Sequence, residues 1–343
     1  MLAHFLCILS AFYLATTSSE TYCPSVLSSQ DNRQEKTKLR IMQYNVEWLF
    51  LDYYAESDCP GGGCSWKTEA DAKTHLNYVS DIIDKLKPDI LNLCEVEGCD
   101  ELSAICAKNE TLHAYKSYMI KGKDTSTGQN VGLLTKIDPS ISLYRTEERV
   151  NYPIPSSTCG YTGTSSDTGV SKHYITEYNI GELQIAMIGV HLVAFPTDPV
   201  RCAQREAQAQ IIQNAIISYI SKGFDVIVSG DFNDFDPDVQ DANDNRPLSS
   251  VLSIVKGKRG ASAGKYELIN AAERIDKVAR YTDWWDQNKN CNSTINEFSM
   301  IDHILVSPRL YDKIVDAWIY SGYAEFCGTF NSDHYPVIVD IIP

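Results

Sequence analysis

Short apolar runs bounded by turn residues recur along this chain of 343 residues. They predict strands at 39–44, 90–94, 131–135, 185–190, 226–229, 301–306 and 337–341. Between them, apolar positions at helical spacing predict helices over 70–86, stopping before Lys87-Pro88, and over 201–220, stopping near Gly223. Strands separated by helices and long loops predict an α/β chain. The first residues, MLAHFLCILSAFYLATTSSE, carry no charge before Glu20 and hold an apolar core followed by small residues. That pattern predicts a secretory signal peptide at 1–19. Its apolar run is short of the about 20 residues that a membrane span needs, and no second candidate span is visible.

Several predicted strands end in a polar residue able to touch a metal ion or a phosphate. "IMQYN" ends in Asn45, "ILNLCE" in Glu95 and "AMIGVH" in His191. "VIVSGDFN" ends in Asp231 and Asn233, "FSMID" reaches Asp302, and "NSDH" delivers Asp333 and His334 just before an apolar run. These positions come from almost every part of the chain. A site gathered in this way implies one domain, expected at 39–343 behind an N-terminal extension at 20–38, with its strand ends converging on one edge.

Charge and cysteine content narrow the chemistry. The formal net charge is −15, which argues against a passive polyanion binder, since such proteins carry basic patches. An acidic protein can still act on phosphate if a divalent metal supplies local positive charge. The eleven cysteines fit an oxidising compartment; without Cys7 in the leader, ten remain. Cys59 and Cys64 flank "PGGG" and are expected to pair, whereas Cys94 lies inside a strand run and can be a buried thiol. No CxxC pair is present, so a structural zinc site is not expected. Asn109 and Asn292 open glycosylation sequons.

The stretch "GDFNDFDPDVQDANDN" at 230–245 invites a calcium reading, but neither EF-hand register fits. From Asp231 the fifth position is Phe235; from Asp234 the sixth is Val239 rather than glycine. Structural Ca2+ at an irregular site stays open. Asp231 and Asn233 directly follow the strand; Asp234 is expected to support the turn, and Asp236, Asp238, Asp241 and Asp244 to form a solvated loop. Together, Glu95, Asp231, Asp302 and Asp333 are hard oxygen ligands suited to Mg2+ or Mn2+. Asn45 and Asn233 can hydrogen-bond a phosphate without repelling it, and His191 and His334 can trade protons near neutral pH.

These residues carry a family resemblance. Asn45 in "QYNVEWL", Glu95 in "LCEVE", "GQNVGLLTK", His191 in "GVHL", "GDFND", "MIDHILVSP" and "NSDHYPV" together make the chain resemble the endonuclease/exonuclease/phosphatase superfamily over about 39–342. That superfamily includes DNase I, repair nucleases, bacterial sphingomyelinases and inositol polyphosphate phosphatases. The resemblance implies a four-layer α/β/β/α sandwich. It makes Glu95 the main metal ligand, with Asn45 supporting metal and phosphate and Asp333 a second metal or phosphate contact. Asp231 and Asn233 would hold the attacking water and the phosphate, and Asp302 would orient His334. His334 is taken as base and His191 as acid, although the exchanged roles fit equally well. Asn130 and Arg205 are expected to touch substrate.

The branch it most resembles is the secreted, bacterial-type extracellular nucleases and phosphodiesterases. The expected protein is therefore a secreted Mg2+-dependent (or Mn2+-dependent) phosphodiesterase, monomeric, with DNA or RNA as its partner. A sphingomyelinase-type enzyme acting on a lipid head group is the alternative, with "WIYSGYAEFCGTF" at 318–330 as its candidate membrane hairpin. One departure matters: where DNase I places arginines on the duplex, this chain has Glu47 and Glu97, and carboxylates facing a duplex would repel it. Trp284 and Trp285 are candidates for stacking on bases or for packing, and Lys256, Lys258, Arg259 and Lys265 for a basic patch or a solvated loop.

Overall fold

The computed structural model describes residues 23, 29–52, 64–286, 290, 293–322 and 331–343. The expected leader at 1–19, Cys59, Asn292 and most of the 318–330 stretch lie outside the described residues. Two large sheets form the centre of the molecule. The first has six strands in the order β14 (Ile314–Ile319), β15 (Val337–Ile341), β1 (Leu39–Leu49), β2 (Ile90–Val96), β4 (Asn130–Thr135) and β3 (Lys116–Met119). The second has five, in the order β10 (Ile269–Asn270), β13 (Asp302–Val306), β9 (Asp225–Asp231), β8 (Leu183–His191) and β7 (Lys172–Ile180). Two small ribbons, β5 (Val150–Tyr152) with β6 (Ser166–Thr168) and β11 (Asp283–Trp284) with β12 (Phe298–Ser299), complete the strands among the described residues.

Alternation within each strand decides the layers, because successive side chains point to opposite faces. Leu39 and Ile41 of β1, Ile90 of β2, Ile185 and Met187 of β8, Ile227 of β9 and Ile304 of β13 fill one core between the sheets. The alternate residues Met42, Tyr44, Leu91 and Leu93 pack outward with Val79 and Ile83 of α1 (Glu69–Leu86) and Leu102 and Ile105 of α2 (Cys99–Ala107). On the other side, Ala186, Ile188, Val226 and Val228 pack with Ile211, Ile212 and Ile216 of α3 (Pro199–Ile220) and Val251 of α4 (Val251–Val255). Three cores separate four layers, the α/β/β/α sandwich. A last short helix, α5 (Pro308–Tyr311), follows β13.

Local chemistry sets the helix ends. The Thr68 side chain accepts from Asp71 N to open α1, and Lys87 closes it in the left-handed region before Pro88. Asp198 caps α3 by accepting from Val200 N and Arg201 N, with Pro199 at the first helical position. Disulfides join Cys23 to Cys99 and Cys159 to Cys202, while Cys94 is a buried free thiol and Cys106 a partly exposed one. The sequon residue Asn109 spends its amide locally, donating to Asp84 and accepting from Leu112 N. Among the described residues no helix is long and apolar enough to cross a membrane.

Candidate active site

The inter-sheet face changes character along the strands. It is apolar at one end and becomes polar at Gln43 and Asn45 of β1, Asn92 of β2, Ser229 and Asp231 of β9, His191 of β8 and Asp302 of β13. Register brings the last three abreast: His191 pairs with Asp231, and Asp231 with Asp302, on neighbouring strands. Beneath them a polar bridge ties the sheets together. Asn92 donates to Gln43 and to the Ser229 carbonyl, and Gln43 donates to Asp302 at 3.0 Å. The sheets approach so closely there that a Cβ on Gly189 would lie 2.2 Å from the Asn92 side chain, so only glycine fits.

Glu95 reaches this edge through a bulge. Cys94 already faces the second sheet, so strict alternation would turn Glu95 toward the helices. Instead the β2–β4 register shifts between Cys94 and Val96, and Glu95 takes a left-handed φ of 68°. A bulge re-aims a side chain in this way. The carboxylate accepts from Asn45 Nδ2 at 3.2 Å and from Trp48 N at 3.1 Å. Glu47, Trp48 and Asn233 also have positive φ, so backbone strain collects at this end of the sandwich.

His334 is the best-defined member. Its Nδ1 lies 2.7 Å from Asp302 Oδ2, which fixes the ring and leaves Nε2 facing Asp283 Oδ1 at 3.7 Å and Asp333 Oδ1 at 3.9 Å. Asn45 Nδ2 bridges Glu95 and Asp231, the latter at 3.1 Å. His191 Nε2 lies 3.6 Å from Asp231 Oδ2 and 4.0 Å from Glu95 Oε1, while its buried Nδ1 has no hydrogen-bond partner among the described residues. Asn233 donates its backbone N–H to Asp231 and its side-chain amide to the Leu192 carbonyl. A cleft of about 660 Å3 opens beside Glu95 and His191.

The charge balance is one-sided. Among the described residues, no lysine or arginine forms an ion pair with Glu47, Glu95, Asp231 or Asp333. Burial, then repulsion from Asp302, pushes the Asp231 carboxyl up to about 8. Burial also raises Asp333 to about 7, with Asp283 and Glu95 adding to it. Burial opposes charging of His334, yet the Asp302 carboxylate, joined by Asp333 and Asp283, raises its pKa well above the usual histidine range. Burial holds His191 well below it, helped by Lys172 and His334. The carboxylates thus favour the charged form of His334, and burial favours the neutral form of His191. Carboxylates and His334 within ligand distance of one another, Asp231 with Asp302 and Asp283 with Asp333, fit a divalent cation.

The structure thus brings together Asn45, Glu95, His191, Asp231, Asn233, Asp302, Asp333 and His334. Two expected substrate contacts lie elsewhere. Asn130 is buried, donating to the carbonyls of Glu97 and Gly128 and accepting from Gly122 N, so its amide holds loops together. Arg205 is fully buried and donates to the carbonyls of Val193 and Pro196. Glu47 does not face a duplex either: it is buried, accepting from Ser65 Oγ and Asp333 N beside the site. Glu97 accepts from the amides of Leu51 and Asp52.

The acidic loop is also less solvated than its composition implies. Asp234 braces the turn by accepting from the amides of Phe235, Leu248 and Ser249. Asp236 pairs with buried Lys256, and buried Asp241 accepts from Asn243 N, Asn245 N and Met300 N, so of the outer four only Asp238 and Asp244 are exposed. Trp284 packs inside and Trp285 is exposed. The residue that the sequence reading missed is Asp283, hidden beside those tryptophans and carried to His334 by an isolated bridge between the two.

The comparisons agree with this architecture. The model of the "Endonuclease/Exonuclease/phosphatase family" matches residues 42–334. A truncated TDP2 from Caenorhabditis elegans superimposes with a TM-score of 0.53 at 18% identity, covering 91% of this chain and 100% of that one. An AP endonuclease from Archaeoglobus fulgidus gives 0.54 at 15% identity, covering 88% and 98%. A mannosyl-6-phosphatase from Bacteroides thetaiotaomicron gives 0.52 at 15%, again covering 88% and 98%. No curated protein matches the chain in sequence. With its family match spanning most of its length and its strand ends delivering carboxylates and histidines to one edge, the chain belongs to the endonuclease/exonuclease/phosphatase family.

Proposed function

We propose that the protein is a secreted, Mg2+-dependent phosphodiesterase that cleaves nucleic acid by attack of water on phosphorus. The observation that carries this reading is the Asp302–His334 pair facing the Asp283 and Asp333 carboxylates, with no lysine or arginine paired to them among the described residues. Glu95, Asp231 and Asp333 would hold the cation, and Asn45 keeps Glu95 and Asp231 side by side. A divalent cation there supplies the positive charge that stabilises a phosphoryl group under attack. Asp302 holds His334 by Nδ1, so Nε2 is the atom that exchanges a proton with water or with the leaving oxygen. His191, buried and neutral, offers Nε2 on the opposite flank of Asp231. The predicted leader and the disulfides among the described residues support secretion.

The test is a substrate panel with purified secreted protein: plasmid, single-stranded DNA, RNA, sphingomyelin and phosphoinositides, each with Mg2+ and with chelator. Metal-dependent cleavage of nucleic acid is expected. Cleavage of sphingomyelin or phosphoinositide alone would overturn the nuclease reading while keeping the phosphoester chemistry.

A further inference from the structure

The cleft beside Glu95 and His191 has a wall that the catalytic residues do not use. It is built by the segment from the end of β8 to the start of α3. Phe195 lies there with 68% of its surface exposed, at a left-handed φ of 61°. That backbone conformation is uncommon for a bulky residue and persists only where its surroundings enforce it. They do so here. The buried Arg205 guanidinium donates to the Val193 carbonyl at 3.1 Å and the Pro196 carbonyl at 3.4 Å, clamping the chain on both sides of Phe195. Gln208 accepts from Val193 N, and Asp198 N donates to the Phe195 carbonyl. An aromatic ring is thus held out over the cleft by buried polar groups.

The charges of the cleft point the same way. Lys123 pairs with Glu147, Arg149 with Asp167, and Lys172 with Gln129 and Asp124; Arg145 donates to three backbone carbonyls. Arg201, on the first turn of α3, lines the same cleft and is exposed, with no side-chain partner among the described residues. The rest of the lining mixes polar side chains, including Thr127, Gln129, Thr146 and Gln204, with apolar Trp48, Val170, Val193 and Ala194, a mixture that suits a ring beside a phosphate.

We infer that Phe195 and Arg201 set substrate specificity: Phe195 stacks on the unpaired base next to the scissile phosphate, and Arg201 pairs with the following phosphate of a single strand. Base–aromatic stacking is tolerant of sequence and requires an unpaired base. This assignment rests on the nuclease reading above. It is tested with single-stranded oligonucleotides in which one base at a time is replaced by an abasic linker, or one linkage at a time by a neutral methylphosphonate.

Wild-type protein is expected to lose about tenfold or more in kcat/KM when the base beside the cut is removed. In Phe195→Ala that ratio falls to near one, and Phe195→Trp restores it. In Arg201→Gln the penalty for the neighbouring methylphosphonate disappears. Folding of each variant is checked by its melting temperature. Wild-type protein that cuts oligonucleotides but keeps its base dependence in Phe195→Ala overturns the assignment alone. Wild-type protein that cuts no oligonucleotide in Mg2+ overturns the nuclease reading and this assignment with it. Cleavage confined to lipid vesicles and lost in Phe195→Ala would reassign the wall to a membrane.

Discussion

At the scale of single residues, the Asp302–His334 contact decides what the site can do. Asp302 is buried, accepts from Gln43 and lies 2.7 Å from His334 Nδ1. Asp302→Asn keeps the shape and removes the charge that orients and protonates the ring. It is expected to lower kcat by about 10²-fold or more while leaving the fold intact, read by steady-state kinetics beside a thermal melt; near-normal kcat would show that His334 does not handle the proton. Asp283 offers a finer probe. Its carboxylate lies 3.7 Å from His334 Nε2 and favours the imidazolium, so its removal makes that charged form less stable. In Asp283→Asn, the limb of the pH–rate profile set by His334 is therefore expected to move to lower pH. Movement of the acid limb would make His334 the base, movement of the alkaline limb would make it the acid, and an unmoved profile would separate Asp283 from the chemistry.

At the scale of elements, the acidic loop after β9 shows how composition misleads. Its carboxylates read as solvated, because charged side chains normally stay in water. Yet Asp236 accepts from Lys256 Nζ at 2.8 and 2.9 Å, and Lys256 is buried. Removing one member of a buried pair leaves the other charge uncompensated, at a cost of about 3–5 kcal/mol. Lys256→Met should lose stability on that scale in urea titration, and Lys256→Met combined with Asp236→Asn should recover part of it. A loss no larger than that of an exposed lysine would mean that water replaces the pair. Strands β1, β2, β4, β8, β9, β13 and β15 were legible in the sequence as short apolar runs bounded by turn residues, whereas β3, β7, β10 and β14 of the same sheets were not. The bulge at Glu95 was not, because a left-handed residue within a strand leaves no mark in the hydrophobic pattern.

At the scale of the whole molecule, two sheets deliver several negative groups to one edge, and the fold tolerates this partly by keeping protons there. Asp231 at about 8 and Asp333 at about 7 hold protons in the folded state that the unfolded chain releases near pH 4. Their contribution to stability is thus full below about pH 4 and is lost as pH rises toward 8. A divalent cation held there would bind the carboxylates in their deprotonated form and would replace those protons. Saturating Mg2+ or Mn2+ should therefore raise the melting temperature, more at pH 8 than at pH 6. Glu95→Gln should shrink the effect, and an increment equal at both pH values would show that the cation does not displace those protons.

The sequence by itself determined the α/β class and pointed to most of the polar residues that gather at one edge, while the four layers came from the family resemblance. Apolar runs, the turn residues between them and the polar residue closing many of them are local properties that survive being read one segment at a time. Only the tertiary structure decided that Arg205 and Asn130 are interior struts, that Glu47 turns inward beside Asp333, and that Asp283 stands against His334. Those outcomes depend on which segments lie alongside one another after the sheets stack. A charged or amide side chain carries no local sign of whether water or a buried carbonyl will be its partner.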